Sequence, residues 1–171
     1  AFGGPGGCSG RPGRVDPYQP AGDLYLEFNH GCVHDYVREL DLETASATVS
    51  YHTGGGRFIR QYVPHLADDL IMVRVTQDGA PFHCVAWLDR IHDADCELTF
   101  DTAEERLAMN GRIRDGVDFR VKTDVWHQGG CARIIDGRKL LLEGVTEAVF
   151  AVNVGVSAFG KSAEEECREK S

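Results

Sequence analysis

The many carboxylates of this sequence include three close pairs: Asp68-Asp69, Asp93 with Asp95, and Glu104-Glu105. Two opposed carboxyl groups are what glycoside hydrolysis needs, one to protonate the leaving oxygen and one to attack or activate water. That division of labour requires a setting that raises one pKa and leaves the other low. All three pairs fall in polar, turn-forming stretches, where solvation accounts for them. No catalytic residue is assigned to this chain. Histidine stands at 30, 34, 52, 65, 83, 92 and 127. No serine sits in a GxSxG elbow, and nothing in the spacing favours a Ser–His–Asp arrangement, although such sites assemble in space.

Two further groups have spacing worth testing. His30, Cys32 and His34 would share one face of an extended strand, which is the geometry of a metal site. A polar loop that happens to carry histidines accounts for the same residues, so no metal and no cofactor is assigned. Trp126-His127-Gln128 precedes Gly129-Gly130 at the expected mouth of a hairpin. An indole beside polar groups suits stacking on the apolar face of a sugar, which makes Trp126 and His127 the candidate sugar contacts. The plainer reading is that Trp126 covers a sheet edge. Trp87, in mid-strand, is expected in the core. Gly3-Gly4-Pro5-Gly6-Gly7 looks like a phosphate loop, but no strand precedes it and no helix follows.

These side chains must be positioned by strands. Leu24, Leu26 and Phe28 alternate with Asp23, Tyr25, Glu27 and Asn29, a period of two. The same reading gives strands over 36–41, 44–52, 57–63, 70–76, 82–91, 97–100, 106–110, 116–126, 132–135, 139–143 and 147–154. Pro64 is expected to close the strand before it. Gly54-Gly55-Gly56, Asp78-Gly79, Asn110-Gly111, Asp115-Gly116, Gly129-Gly130 and Asp136-Gly137 are read as turns. Short strands joined by glycine-containing turns predict an all-β fold, an antiparallel β-sandwich. The Gly/Pro-rich residues 1–17 read as a flexible lead-in, 18–156 as the sandwich domain, and 157–171 as a tail or the start of a linker. Ser162 and Glu165 fit a capping box, on a segment without an apolar face.

Composition bounds the partners. The chain has 171 residues, 27 acidic and 18 basic, a formal charge of −9. That sign repels phosphate backbones and anionic lipid, which argues against nucleic acid and membrane surfaces. No stretch of ~20 apolar residues could form a membrane-spanning helix. The six cysteines are widely and irregularly spaced with no CxxC, and read as buried small hydrophobes or surface thiols.

At Tyr18-Gln19-Pro20-Ala21-Gly22-Asp23-Leu24-Tyr25-Leu26-Glu27-Phe28 the sequence resembles the "YQPLGDLYLEF" segment of glycoside hydrolase family 95, the α-L-fucosidase family. Tyr36 to Ala45 is similar to that family's "YRRELDLETA" run, and Thr48-Val49-Ser50-Tyr51 and the Gly-rich hairpin follow in the same order. A looser likeness runs from Gly129-Gly130 through Gly137, Leu140 to Gly144 and Glu147-Ala148. Ala21 and Val37 depart from the pattern, which has Leu and Arg there.

The resemblance spans Tyr18 to Val156. It implies the N-terminal β-sandwich of the supersandwich kind, followed in the family by a helical linker, a catalytic (α/α)6 barrel and a small β domain. The groups for inverting hydrolysis belong to the barrel. The family's opening "GNG-GAM" and "NEDTLW" strings are not found before Tyr18, so an N-terminally truncated sandwich with an exposed sheet edge is expected, and with it pairing into homo-oligomers. The implied function is a non-catalytic domain supporting the barrel of an α-L-fucosidase-like hydrolase. A free-standing carbohydrate-binding module and an assembly domain are the alternatives. The implied partners are that barrel and a fucosylated glycan, and the implied location is extracellular or periplasmic.

Overall fold

The structure, a computed structural model, describes residues 19–157 and 160–169. The expected flexible lead-in, with Gly3 to Gly7, lies outside the described residues. The strands are β1 (Asp23–Phe28), β2 (His34–Asp41), β3 (Ser46–Thr53), β4 (Gly56–His65), β5 (Leu70–Gly79), β6 (Phe82–Asp89), β7 (Cys96–Ala103), β8 (Arg106–Ile113), β9 (Asp118–Gln128), β10 (Cys131–Ile135), β11 (Lys139–Val145) and β12 (Glu147–Val156). One helix, α1 (Ala163–Glu169), follows.

The strands form two antiparallel sheets, a small one ordered β1-β6-β11-β10 and a large one ordered β2-β3-β4-β5-β12-β9-β8-β7. The fold is the expected all-β sandwich. Period-two patterning builds its core. On β6, Phe82, Cys84, Ala86 and Leu88 are buried and the residues between them face out. They meet Phe58, Val75, Leu107, Met109, Val125 and Phe150 from the large sheet and Leu140 and Leu142 from the small one. Burying one such Leu or Phe side chain is worth roughly 1.5–3 kcal/mol. The large sheet is twice as wide as the small one, and its edge strand β2 is exposed along its whole length.

Several turn readings are corrected. Asn110-Gly111 lies inside β8, not at a turn. Gly111 is there because the Phe119 ring occupies the space of a side chain: a Cβ would sit 2.1 Å from Cζ. Pro64 lies within β4 rather than ending it. It falls beyond the last β3 pair, Ala47 with Tyr62, so β4 is paired on one side only there, the setting in which a missing N–H is tolerated. Asp78-Gly79 is still strand. Gly129-Gly130 joins no hairpin, because β9 belongs to the large sheet and β10 to the small one. Its two positive φ angles, 70° and 59°, turn the chain across the sandwich. Asp136-Gly137 is the hairpin turn expected, with φ of 51° and 68°.

The tail also differs from its reading. Ser162 Oγ accepts from the Glu165 amide at 3.2 Å and Glu165 Oε2 accepts from the Ser162 amide at 2.8 Å, a reciprocal capping box. The helix it starts does have a small apolar face. Ala163 and Cys167, one turn apart, are buried, and both approach Gly155 of β12.

Candidate functional site

Trp126 and His127 are neighbours on β9, and alternation sends them to opposite faces. Trp126 stands on the outer face of the large sheet and is 55% exposed. His127, on the other side of the strand, has Nδ1 2.8 Å from the carbonyl oxygen of Gly129. They do not form one site. On the Trp126 face, Val149 is the register partner, with Arg74 beyond it. Arg74 donates to Glu147 through Nε and Nη2 at 2.8 and 2.9 Å. Asp124 is paired with Lys122 at 2.7 Å and Arg106 at 3.2 Å. Trp126 is thus an open indole rimmed by ion pairs, able to present one ring face to an apolar sugar surface.

Trp87 is corrected. It lies on the outer face of the small sheet, because its parity is that of His83 and Asp89, not of Phe82 and Ala86. The Tyr25 ring stacks on it at 5.1 Å and 5° between planes, and Lys139 Nζ sits 4.7 Å from its ring centroid. Tyr25 is its register partner on β1, and Lys139 precedes Leu140, the partner of Ala86, on β11 at the other side of β6. The indole is therefore engaged by a side chain from each flanking strand.

At one end of the sandwich the β1–β2, β3–β4 and β5–β6 connections enclose an open cleft of about 490 Å³, lined by His30, Cys32, His34, Gln77 and His83 among others. His30, Cys32 and His34 do not share a strand face, since only His34 belongs to β2. His30 enters an aromatic cluster instead. Its ring stacks on Phe28 at 5.3 Å, meets Phe58 edge-on at 4.4 Å, and Nδ1 is 2.9 Å from the Tyr51 hydroxyl. Burial, with the charge of Arg60 second, lowers its pKa below the ordinary 6.5. The Gln77 amide is buried, with Nε2 donating to the Ala80 carbonyl and Oε1 unpartnered.

The carboxylate pairs lie at the surface, and Asp68, Asp93 and Asp95 have basic partners. Asp68 lies 3.0 Å from His65, Asp93 meets Arg90, and Asp95 lies 2.9 Å from Arg114. Asp118, Glu143 and Glu147 are each held below the usual carboxylate range, chiefly by hydrogen bonds from Arg112, Arg133 and Arg74. Asp93 is held down first by the Asp95 amide. A group held low is ionised near neutrality and cannot act as the general acid of a glycosidase. The described cysteines form no disulfide with one another.

The model of "Glycosyl hydrolase family 65, N-terminal domain" matches residues 6–158. The chain belongs to this family. Among characterised proteins, "Alpha-L-fucosidase 2" of Arabidopsis thaliana is 42% identical over 71 residues, 39% of this chain and 8% of that protein. Among solved structures, "Putative kojibiose phosphorylase from human microbiome" superposes with a TM-score of 0.57 at 10% identity, over 85% of this chain and 23% of that one. At that identity the likeness shows the fold. The glycoside hydrolase N-terminal domain thus corresponds to a small part of each relative. The matching model is that of family 65, whereas the sequence motifs resemble family 95. What the two share is an N-terminal domain attached to a glycoside hydrolase.

Sequence reading missed two groups near these sites. The outward parity of Trp87 follows from Phe82, Cys84, Ala86 and Leu88, whereas its mid-strand position alone pointed to the core. Asp35 was not singled out. It sits at a β-bulge, where register shifts between His34 and Val37 and φ is 54°, and periodicity alone gives no sign of one extra residue.

Proposed function

We propose that this chain is the non-catalytic N-terminal support of an α-L-fucosidase-like glycoside hydrolase, packing against a catalytic barrel that the chain does not contain. The observation that carries this is the 42% identity over 71 residues to "Alpha-L-fucosidase 2". Two features of the domain support it. The carboxyl groups with displaced pKa values are paired and ionised rather than poised as an acid. The free end of the large sheet also exposes Leu40 at 69%, with Leu42 and Leu66 in adjoining turns at 83% and 92%. Apolar side chains exposed at one end of a sheet fit burial against a neighbouring domain.

The experiment has two arms. The 171-residue chain is assayed on an aryl α-L-fucoside, and turnover above the protein-free blank defeats the non-catalytic reading. The whole gene product is assayed on 2′-fucosyllactose beside an α-galactoside, and galactose release without fucose release defeats the fucosidase reading. A second reading, a sugar-contacting surface, is favoured by the exposed Trp126 indole. It requires saturable binding of a fucosylated glycan by calorimetry, weakened by Trp126→Ala. No heat, or equal heat from the variant, removes it.

A further inference from the structure

We propose that His34, Asp35 and His52 bind a divalent transition-metal ion of the Zn²⁺ class at the β2–β3 edge of the large sheet. His34 and His52 are register partners across these strands, so their side chains share a face, and the two rings lie nearly parallel, 5.5 Å apart. In a regular strand Asp35 would point the other way. The bulge turns it: Asp35 takes a φ of 54° and one extra residue is accommodated before Val37.

The consequence is convergence on one oxygen. Asp35 Oδ2 lies 3.0 Å from His34 Nδ1 and 3.6 Å from His52 Nδ1. One donor atom from each of the three residues falls within 4.8 Å of the other two. For zinc–ligand bonds of ~2.05 Å, tetrahedral ligands stand ~3.3 Å apart, and the separations of 3.0 and 3.6 Å bracket that value. His52 Nδ1 is itself buried and has no hydrogen-bond partner, although its side chain is 45% exposed.

The donor set selects the ion. Two imidazoles and a carboxylate suit Zn²⁺, Ni²⁺ or Cu²⁺ better than Ca²⁺ or Mg²⁺, which need more oxygen donors. Three protein ligands leave a coordination position for water. The site does not use the residues proposed above for sugar contact or domain packing.

The test is titration of the 171-residue chain with Zn²⁺ followed by calorimetry, and with Cu²⁺ followed by electron paramagnetic resonance. The expected result is one equivalent bound, weakened at least about tenfold by His52→Ala and by Asp35→Asn, with the Cu²⁺ spectrum showing two coupled nitrogens that fall to one in His52→Ala. His65→Ala, which removes a histidine whose surface partner is Asp68 alone, and Cys32→Ser, which removes the thiol nearest in sequence, leave binding unchanged. No binding, or binding lost only in His65→Ala or Cys32→Ser, overturns the site. Unaltered far-ultraviolet circular dichroism of each variant separates lost ligands from lost fold.

Discussion

The guanidinium of Arg90 lies 3.2 Å from the Asp93 carboxylate, with its side chain only 1% exposed. Its Nε donates to the Pro20 carbonyl at 2.8 Å and Nη2 to Gln19 Oε1 at 3.3 Å. The Phe119 ring lies beneath it, 5.9 Å from the guanidinium carbon. One buried cation therefore ties the end of β6 to the chain entering β1 and to the turn before β7. The fork of an arginine can serve these acceptors together, whereas a lysine ammonium is a single point.

Removing this cation strands several acceptors. Arg90→Ala is expected to lower unfolding free energy by about 3 kcal/mol, and Arg90→Lys to recover only a minor part of the loss. Asp93→Asn is expected to cost less than either, because Asp93 is partly open to solvent. Urea denaturation followed by tryptophan fluorescence checks the order. Equal stability of Arg90→Ala and the parent contradicts the role given to the clamp.

His30 should make stability depend on pH near neutrality. Its folded pKa is lowered by burial first and by Arg60 second. In the unfolded chain it takes a proton near pH 6.5. The unfolded state therefore binds the proton first as pH falls, and stability drops from about 6.5 down to the folded value before levelling. Above 6.5 the contribution is complete. His30→Phe keeps a ring among Phe28, Tyr51 and Phe58 but cannot titrate, so its urea midpoint should lose this part of the slope between pH 7 and 5. Identical slopes in parent and variant contradict it.

The thiols should divide by environment. Cys84 is 1% exposed and burial pushes its pKa up to about 12. At pH 8 only about one molecule in ten thousand carries that thiolate, and the reagent must also reach it. Cys32 and Cys131 are exposed. Iodoacetamide labelling with peptide mapping should modify Cys32 and Cys131 in the native protein and Cys84 only after denaturation. Native labelling of Cys84 at a comparable rate contradicts its placement.

Which parts of this were legible follows from what sequence encodes locally. Parity is local, so Leu24, Leu26 and Phe28 announced β1, and Phe82 to Leu88 announced β6. Parity also states that Trp126 and His127 face opposite ways, so their separation was readable before any coordinates. Sheet membership is not local. The glycines at 129 and 130 look alike whether they close a hairpin or cross between sheets, and only the pairing of β9 with β12 and of β10 with β11 decides. The metal candidate depends on a bulge and on a partner 18 positions away, which no spacing within His30, Cys32 and His34 contains.

Gly111 shows the same limit and gives a direct test. Asn110-Gly111 has turn composition, yet Gly111 is the register partner of Phe119 in adjacent strands. A Cβ there would meet Cζ, Cε1 and Cε2 of the ring at 2.1, 2.2 and 2.8 Å. The ring is 5% exposed and belongs to the core, so it cannot swing into open solvent without uncovering apolar surface. Gly111→Ala should therefore destabilise by about 1–3 kcal/mol through overpacking, despite the entropic gain of roughly 0.4–1 kcal/mol that a glycine replacement usually brings. Gly54→Ala, where a Cβ meets nothing within 4 Å, is the control and should be neutral or slightly stabilising. A turn role for Asn110-Gly111 predicts no clash with Phe119, so a Gly111→Ala as stable as the control would contradict the packing described. Restoration of stability in Gly111→Ala with Phe119→Leu, relative to the sum of the single changes, would locate the strain in that one contact.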